Sequence, residues 1–414
     1  MRIAFLTDTF LPQINGIVTS IVHFSEELGR RGHEVLILAP RPRTPRRSLF
    51  RAEPRGSGQA GAPAWSAPNV RVQYLRSLPS LLYPEYRLSF LGRRTVLRAL
   101  KAFDPHVIHF HTPLTVGRYA IHAARTLGKP LVGTNHIYLT KDNAVFLRCI
   151  VGNRPRFQRN IAPAVRRYSA SFYRTCEVCC VPSRTLATEL ARGKRGFASE
   201  HLPNGIDCTK VRRLAGNERQ QMKERWGLSE HVVLHVGRLS KEKGVEAVVR
   251  AFALVRDSNP DTSLLLIGDG PAKASLKKLA EKLGMGGNVV FTGAIPHEEL
   301  LTSGILSVGD VFVTASRMES QGMVLLEAMA AGLPVVCVQD AAVEEMVQNV
   351  GTLVPPEDVP ALAAATKVIL DNASLAEEMS RASLAQAQCF SVAVLVDRLL
   401  GIYEEAGRRK NRGK

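Results

Sequence analysis

Residues 310–338 read DVFVTASRMESQGMVLLEAMAAGLPVVCV, and their pattern decides how the second half of the chain folds. An apolar run, Val311–Thr314, ends in a polar loop that contains glycine. A helical segment, Val324–Ala331, follows and stops at Gly332 and Pro334, and a second apolar run, Val335–Val338, resumes. Glycine and proline stand where a helix should end, so the unit reads as strand, loop, helix, strand. The loop and helix carry two carboxylates eight residues apart, Glu319 and Glu327. One lies where the strand delivers the chain to the carboxyl edge of the sheet, the other about one turn into the helix. Ligands bind at that edge in parallel α/β sheets, so two acids there suit recognition of hydroxyl groups.

The same alternation extends outward in both directions. In the second half, strand-like runs lie at Val232–Val236, Leu264–Ile267 and Val289–Thr292, with helical patterns at Val245–Arg256 and Ala272–Leu283. The first half repeats it, with strands at Ile3–Leu6, Val35–Leu38, Val107–Phe110, Leu131–Thr134 and Val178–Val181, and helices at Ile17–Arg31, Arg93–Ala102 and Ala120–Leu127. Strands that alternate with helices give parallel, doubly wound sheets. A chain of 414 residues is too long for one ordinary core. Two sets joined near Pro203 therefore predict two Rossmann-like domains facing a central cleft.

Charge separates the halves. Residues 1–202 hold 31 Lys and Arg against 11 Asp and Glu, whereas residues 203–414 hold 24 against 26, so the net +18 belongs to the first half. Such a surface attracts nucleic acid, anionic lipid headgroups or phosphorylated substrates. No apolar run reaches the roughly 18 residues that cross a bilayer. The start, MRIAFLTDTF, carries Asp8 and reads as a first strand, not a signal peptide, which predicts a cytoplasmic location. The seven cysteines have no framework spacing, and Cys176, Cys179 and Cys180 read as reduced, partly buried thiols.

Three segments break the alternation. Arg41–Pro68 is rich in Pro, Gly, Ser, Ala and Arg and reads as a mobile loop. Asn143–Cys176 contains seven arginines, five aromatics and no acid. Leu375–Ala406 reads as helix beyond the last strand and is placed to pack back on the first domain.

Several motifs carry chemistry. Gly16 precedes the first helix, where a small residue lets backbone N–H groups approach an anion. The G-x-G-x-x-G at Gly56–Gly61 lies in the Pro- and Gly-rich stretch and follows no strand, and no G-x-x-x-x-G-K-[ST] occurs, which argues against NAD binding and a P-loop. Val236–Gly244, VGRLSKEKG, sets Arg238 and Lys243 in a glycine-flanked loop before a helix, and two cations there suit a diphosphate. His109, in the strand VIHF, and His111, just after it, lie on one face. His111 emerges at the strand's carboxyl end as a candidate for catalysis, and His109 reads as a satisfied core histidine. His136, in GTNH, occupies the corresponding edge position after the next strand and could face an acceptor. The glycine turns LIGDGP and FTGAIP read as structural.

Pro203-Asn-Gly-Ile-Asp207, GRLSKEKG, IGDGP, FTG and ESQGMVLLE occur in an order and spacing that resemble the retaining glycosyltransferases of family 4, which have the GT-B fold. The resemblance covers essentially the whole chain. It implies an N-terminal acceptor-binding domain over residues 1–202, a nucleotide-sugar-binding domain over 203–384, and a helix over 385–414 that crosses back. It further implies that Arg238 and Lys243 hold the diphosphate, with Gly16 adding backbone contact. Glu319 would touch the donor sugar, Glu327 the ribose hydroxyls, and the N–H groups of Gly322, Met323 and Val324 the sugar and phosphates. His111 would lie near the reacting sugar. No Asp-x-Asp occurs, so no metal or other cofactor is expected, and domain closure would complete the site.

The loop Glu319-Ser-Gln-Gly322 departs from the commoner Glu-Gly-Phe-Gly, and the first turn has Asn15-Gly16 where many relatives carry two glycines. Both variants resemble the branch that glycosylates membrane lipids, such as diacylglycerol glucosyltransferases and phosphatidylinositol mannosyltransferases. A hexose moved from a UDP-glucose-like or GDP-mannose-like donor to a lipid such as diacylglycerol is the expected reaction. The enzyme would then lie peripherally at the inner face of the membrane. Arg148, Arg154, Arg156, Arg159, Arg166 and Arg167, with Phe146, Phe157 and Phe172, are the candidate membrane contacts, each cation near the surface adding roughly 1 kcal/mol. A soluble sugar or metabolite acceptor is the alternative within the class. A nucleic-acid-binding protein is the alternative outside it, but no nucleic-acid motif supports that one.

Overall fold

The strands at the middle of the two sheets are short, mainly apolar runs without regular polar alternation. That is the pattern of a strand covered on both faces. The computed structural model describes the chain apart from residues 14, 43–64, 80–86, 137–163, 165–166, 192–196, 317–320, 348–349 and 413–414. Two compact units result. One comprises Met1–Pro182, Leu186–Leu202 and Val396–Lys414; the other comprises Ser183–Thr185 and Pro203–Leu395. The segment expected to be a mobile loop, 41–68, falls largely outside the described residues.

In the first unit the strands are β1 (Arg2–Leu6), β2 (Glu34–Pro40), β3 (Val70–Leu75), the small antiparallel pair β4 (Leu78–Pro79) and β5 (Arg87–Leu88), then β6 (Val107–Phe110), β7 (Leu131–Thr134), β8 (Val178–Val181) and β9 (Glu200–His201). Seven of them form a parallel sheet in the order β3-β2-β1-β6-β7-β8-β9. In the second unit β10 (His231–Val236), β11 (Thr262–Ile267), β12 (Val289–Gly293), β13 (Val311–Thr314), β14 (Val335–Val338) and β15 (Gly351–Val354) form a parallel sheet in the order β12-β11-β10-β13-β14-β15. Both sheets reverse direction of growth beside their first strand. The switch points are therefore β1/β6 and β10/β13, where crevices form outside the carboxyl ends.

Local chemistry ties these edges. Helix Thr115–Leu127 starts after Leu114, which has no side chain able to cap it. Asp8, at the end of β1, supplies the cap instead: its buried carboxylate accepts from Thr112 Oγ1 (2.7 Å), Thr115 Oγ1 (2.6 Å) and the Val116 N–H (2.9 Å). Burial outweighs those hydrogen bonds and pushes the Asp8 pKa up to about 6.

The C-terminal helical pattern is two helices, Ala373–Cys389 and Val392–Arg412, not one. The break at Phe390–Ser391 contains neither glycine nor proline. Backbone bonds to the Ile206 segment impose it: the Ile206 N–H donates to Phe390 O (3.0 Å) and the Val392 N–H to Ile206 O (2.9 Å). From Val396 onward the last helix belongs to the first unit, as the expected return requires. There Arg31 pairs with Asp397 at 2.5 Å, and Lys410 with Glu177 at 2.9 Å. Among the described residues no helix is long and apolar enough to cross a membrane.

Candidate functional site

The second unit's sheet edge is built from loops that only glycine allows to touch. After β10 the chain turns at Gly237, and a Cβ on Gly268, after β11, would lie 1.9 Å from the Gly237 carbonyl oxygen. The two loops are then laced by Leu239 N–H to Asp269 O (3.0 Å) and Ala272 N–H to Leu239 O (2.9 Å). Arg238 is exposed on this platform and Lys243 half-buried. Lys243 ends a short 3-10 turn, Lys241–Lys243, and Gly244 follows at φ 63. A Cβ on Gly244 would meet the Ala315 carbonyl oxygen at 2.3 Å, so the loop after β10 rests on the loop after β13. The LIGDGP turn, which read as structural, thus packs directly on the cationic loop at the switch point.

Beyond Ser316 the chain re-enters description at Gln321, and Glu319 lies outside the described residues. Gly322 adopts φ 76 and opens helix Met323–Ala330, which has no side-chain cap and no acid in its first turn. The amides of Gly322, Met323 and Val324 begin this helix, and such a terminus favours anions. Glu327 is buried in the same helix. Its Oε1 accepts from His297 Nε2 at 2.9 Å, while its buried Oε2 has no partner among the described residues. Burial alone would lower the His297 pKa, but the hydrogen bond to Glu327 and its negative charge outweigh burial and raise it. Nothing in the sequence singles out His297, which stands thirty residues from Glu327. Its place just after the strand-end turn FTGAIP is the signal that could have found it.

Gln321 has a defined task. Its Oε1 accepts from the Asn204 N–H (2.5 Å) and its Nε2 donates to the Asn204 carbonyl (3.0 Å), so its side-chain amide pairs with the main chain of Pro203–Asp207. Its difference from the commoner loop therefore has a structural cause within this unit.

In the first unit the edge after β1, β6 and β7 holds Gly16, His111 and His136. Gly16 is exposed, and a Cβ on it would meet nothing within 4 Å, so packing does not demand the glycine. Asn15 caps helix Gly16–Arg30, and its Oδ1 takes the Ile17 (3.1 Å) and Val18 (3.0 Å) N–H groups. Those two donors are thereby withdrawn from any anion at this helix start.

The three histidines stack. His109 and His111 rings lie 4.3 Å apart and His111 and His136 rings 5.4 Å apart. His109 bonds through both nitrogens, to Tyr403 Oη (2.9 Å) and Thr134 Oγ1 (2.7 Å). His111 Nδ1 meets His136 Nε2 at 3.1 Å, and the buried His111 Nε2 has no partner among the described residues. Burial holds all three rings neutral: the His109 and His136 pKa values fall to about 3 and that of His111 falls well below the ordinary value. His111 thus offers one buried, neutral ring nitrogen.

Arg148, Arg154, Arg156, Phe157, Arg159 and Arg166, and with them Phe146, lie outside the described residues. Arg167 is exposed. Phe172 is not a membrane anchor: it is buried in the first unit's core, with its ring 6.3 Å from that of Phe110. Cys179 and Cys180 are buried, and burial pushes the Cys180 thiol up to about 12. Among the described residues no group of three or more His, Cys, Asp or Glu side chains is arranged to hold a metal ion.

Comparison with known proteins adds to this geometry. Residues 14–210 match the model of Glycosyltransferase Family 4 and residues 217–386 that of Glycosyl transferases group 1. The chain is 31% identical over 428 residues to a GDP-mannose-dependent alpha-mannosyltransferase of Mycobacterium tuberculosis (strain CDC 1551 / Oshkosh), covering 99% of this chain and 98% of the relative. It is 27% identical over 354 residues to the alpha-monoglucosyldiacylglycerol synthase of Acholeplasma laidlawii, covering 84% and 83% respectively. Among solved structures, Anabaena Alr3699/HepE in complex with UDP superposes with a TM-score of 0.72 at 18% identity, covering 98% of this chain and all of that one. At that identity the likeness shows the fold, GT-B.

Proposed function

The chain belongs to glycosyltransferase family 4, retaining enzymes that draw a sugar from a nucleotide-sugar, and on that premise we propose that its acceptor is a membrane lipid. The observation that carries this reading is a surface of the first unit where large apolar side chains stand in solvent among arginines. Leu78, Phe90 and Leu91 are 62%, 61% and 91% exposed. Between Arg87 and Phe103 the sequence has five cations, Arg87, Arg93, Arg94, Arg98 and Lys101, and no acid. Of these, Arg93, Arg94, Arg98 and Lys101 are exposed on helix Arg93–Phe103, whose buried side is Val96 and Leu100. Apolar side chains beside such cations enter the headgroup region of anionic membranes. A relative named for diacylglycerol glucosylation fits the same reading.

For the donor, we assign the diphosphate to Arg238 and Lys243, the ribose hydroxyls to Glu327 and the sugar to Glu319. The helix start at Gly322, Met323 and Val324 adds N–H donors to sugar and phosphate. Gly16 and His111 are assigned further donor contacts from the first unit, with the free His111 nitrogen directed at a sugar hydroxyl, and His136 faces the acceptor. Cations and amide dipoles stabilise the departing nucleoside diphosphate, and the acceptor hydroxyl attacks from the face that the nucleotide leaves, so configuration is retained.

The test is product partition. The protein is incubated with radiolabelled UDP-glucose or GDP-mannose and anionic vesicles containing diacylglycerol or phosphatidylinositol. Label extracted into organic solvent supports the proposal; label found only in water-soluble sugar products would replace it with a soluble acceptor.

A further inference from the structure

Resting on the reading of the second unit as the nucleotide-sugar site, we propose that His297 is a positioning residue for ribose: it holds Glu327 so that the other carboxylate oxygen accepts from the ribose hydroxyls. Glu327 sits in a helix whose neighbours Leu325, Leu326, Ala328 and Met329 are all fully buried. A carboxylate there is costly unless its oxygens are bonded. Only Oε1 is bonded, at 2.9 Å to His297 Nε2, and Oε2 is buried with no partner among the described residues. A carboxylate anchored at one oxygen has its plane fixed, and the direction of the second oxygen follows from it.

His297 is itself held. β12 ends at Gly293 with φ 79, Pro296 precedes helix His297–Thr302, and the Leu300 N–H closes the first turn on the Pro296 carbonyl at 2.8 Å. The imidazole therefore enters from a rigid turn at the carboxyl edge of the same sheet. A vicinal diol is the ligand that suits this geometry, because one carboxylate oxygen can accept from two adjacent hydroxyls. An apolar ligand would leave Oε2 as it stands.

Binding of UDP and of 2′,3′-dideoxy-UDP to the whole protein, measured by calorimetry, separates positioning from simple structural support. Wild type should prefer UDP by about tenfold or more, as sites built around a hydroxyl do. His297→Ala should lose most of that preference while its affinity for the dideoxy nucleotide stays unchanged. His297→Gln, which keeps a donor near the Nε2 position, should recover part of it. Glu327→Gln should lose it as His297→Ala does. Equal weakening of both nucleotides in His297→Ala, or an intact preference, would overturn the proposal while leaving the nucleotide site standing. A wild type that binds neither nucleotide, nor GDP, would overturn the underlying reading together with this one.

Discussion

Two glycines with nearly the same backbone conformation give the sharpest check on the edge of the second unit. Gly244 has φ 63 and Gly284 φ 69. Alanine pays the same left-handed penalty at both, about 1–2 kcal/mol, partly offset by its stiffer unfolded chain. The surroundings differ. A Cβ at Gly284 meets nothing within 4 Å, whereas one at Gly244 lies 2.3 Å from the Ala315 oxygen and 2.8 Å from its carbon. Relief of that clash requires the loop carrying Lys243 to move by roughly 1 Å, at a further cost of about 1–3 kcal/mol. Gly284→Ala should therefore lose about 1 kcal/mol of stability and keep UDP affinity, because residue 284 ends a helix away from the carboxyl edge. Gly244→Ala should lose about 2–4 kcal/mol and bind UDP at least about tenfold more weakly, since a misplacement of that size costs such factors. Urea unfolding and calorimetry of both variants read these quantities. Equal stability and equal UDP affinity in the two variants would refute the claim that the β10 and β13 loops rest on each other.

Other perturbations probe different parts. Gln321→Leu removes the partners of both the buried N–H and the carbonyl of Asn204, and a thermal scan should show a loss equivalent to about 2–4 kcal/mol. For Asp8 the folded pKa of about 6 lies above the unfolded 3.8, so the folded state holds the extra proton. Stability from this group is present below pH 3.8 and lost as pH rises towards 6, by about 3 kcal/mol in all. Asp8→Asn should thus gain on wild type in urea melts as pH rises through that window, and a relative loss would contradict the raised pKa. Tyr403→Phe strips His109 Nδ1 of its bond and should destabilise the first unit by about 1–3 kcal/mol in thermal melts.

The sheets were legible because their central strands are apolar runs covered on both sides. Val107–Phe110, Leu131–Thr134, Val178–Val181, Val311–Thr314 and Val335–Val338 fall where the residues predict them. β3, read VRVQYL, escaped notice because it is a sheet edge whose only fully buried side chain is Leu75. β15, read GTLV, is an edge strand with three half-buried residues and one buried, Val354, and gives no pattern above its turn. The split at Phe390–Ser391 is set by backbone bonds to Ile206, which no local propensity encodes. Phe172 misled for a related reason. It stands in an arginine-rich stretch of sequence, yet its ring packs on Phe110 in the core. Within the site, loop chemistry was visible in Arg238, Lys243 and the glycines. The pairing of His297 with Glu327, of Gln321 with Asn204 and of Asp8 with Thr112 joins residues distant in the chain, and only the fold brings them together.

The central claim is that the carboxyl edge of the second unit binds the diphosphate of a nucleotide-sugar through Arg238 and Lys243. Calorimetric titration of UDP and GDP into wild type, Arg238→Ala and Lys243→Ala tests it most directly. Wild type should bind at least one nucleotide, and each folded variant should bind it about tenfold or more weakly, as loss of a charge-assisted phosphate contact requires. Undiminished affinity in a folded Arg238→Ala protein would contradict the claim.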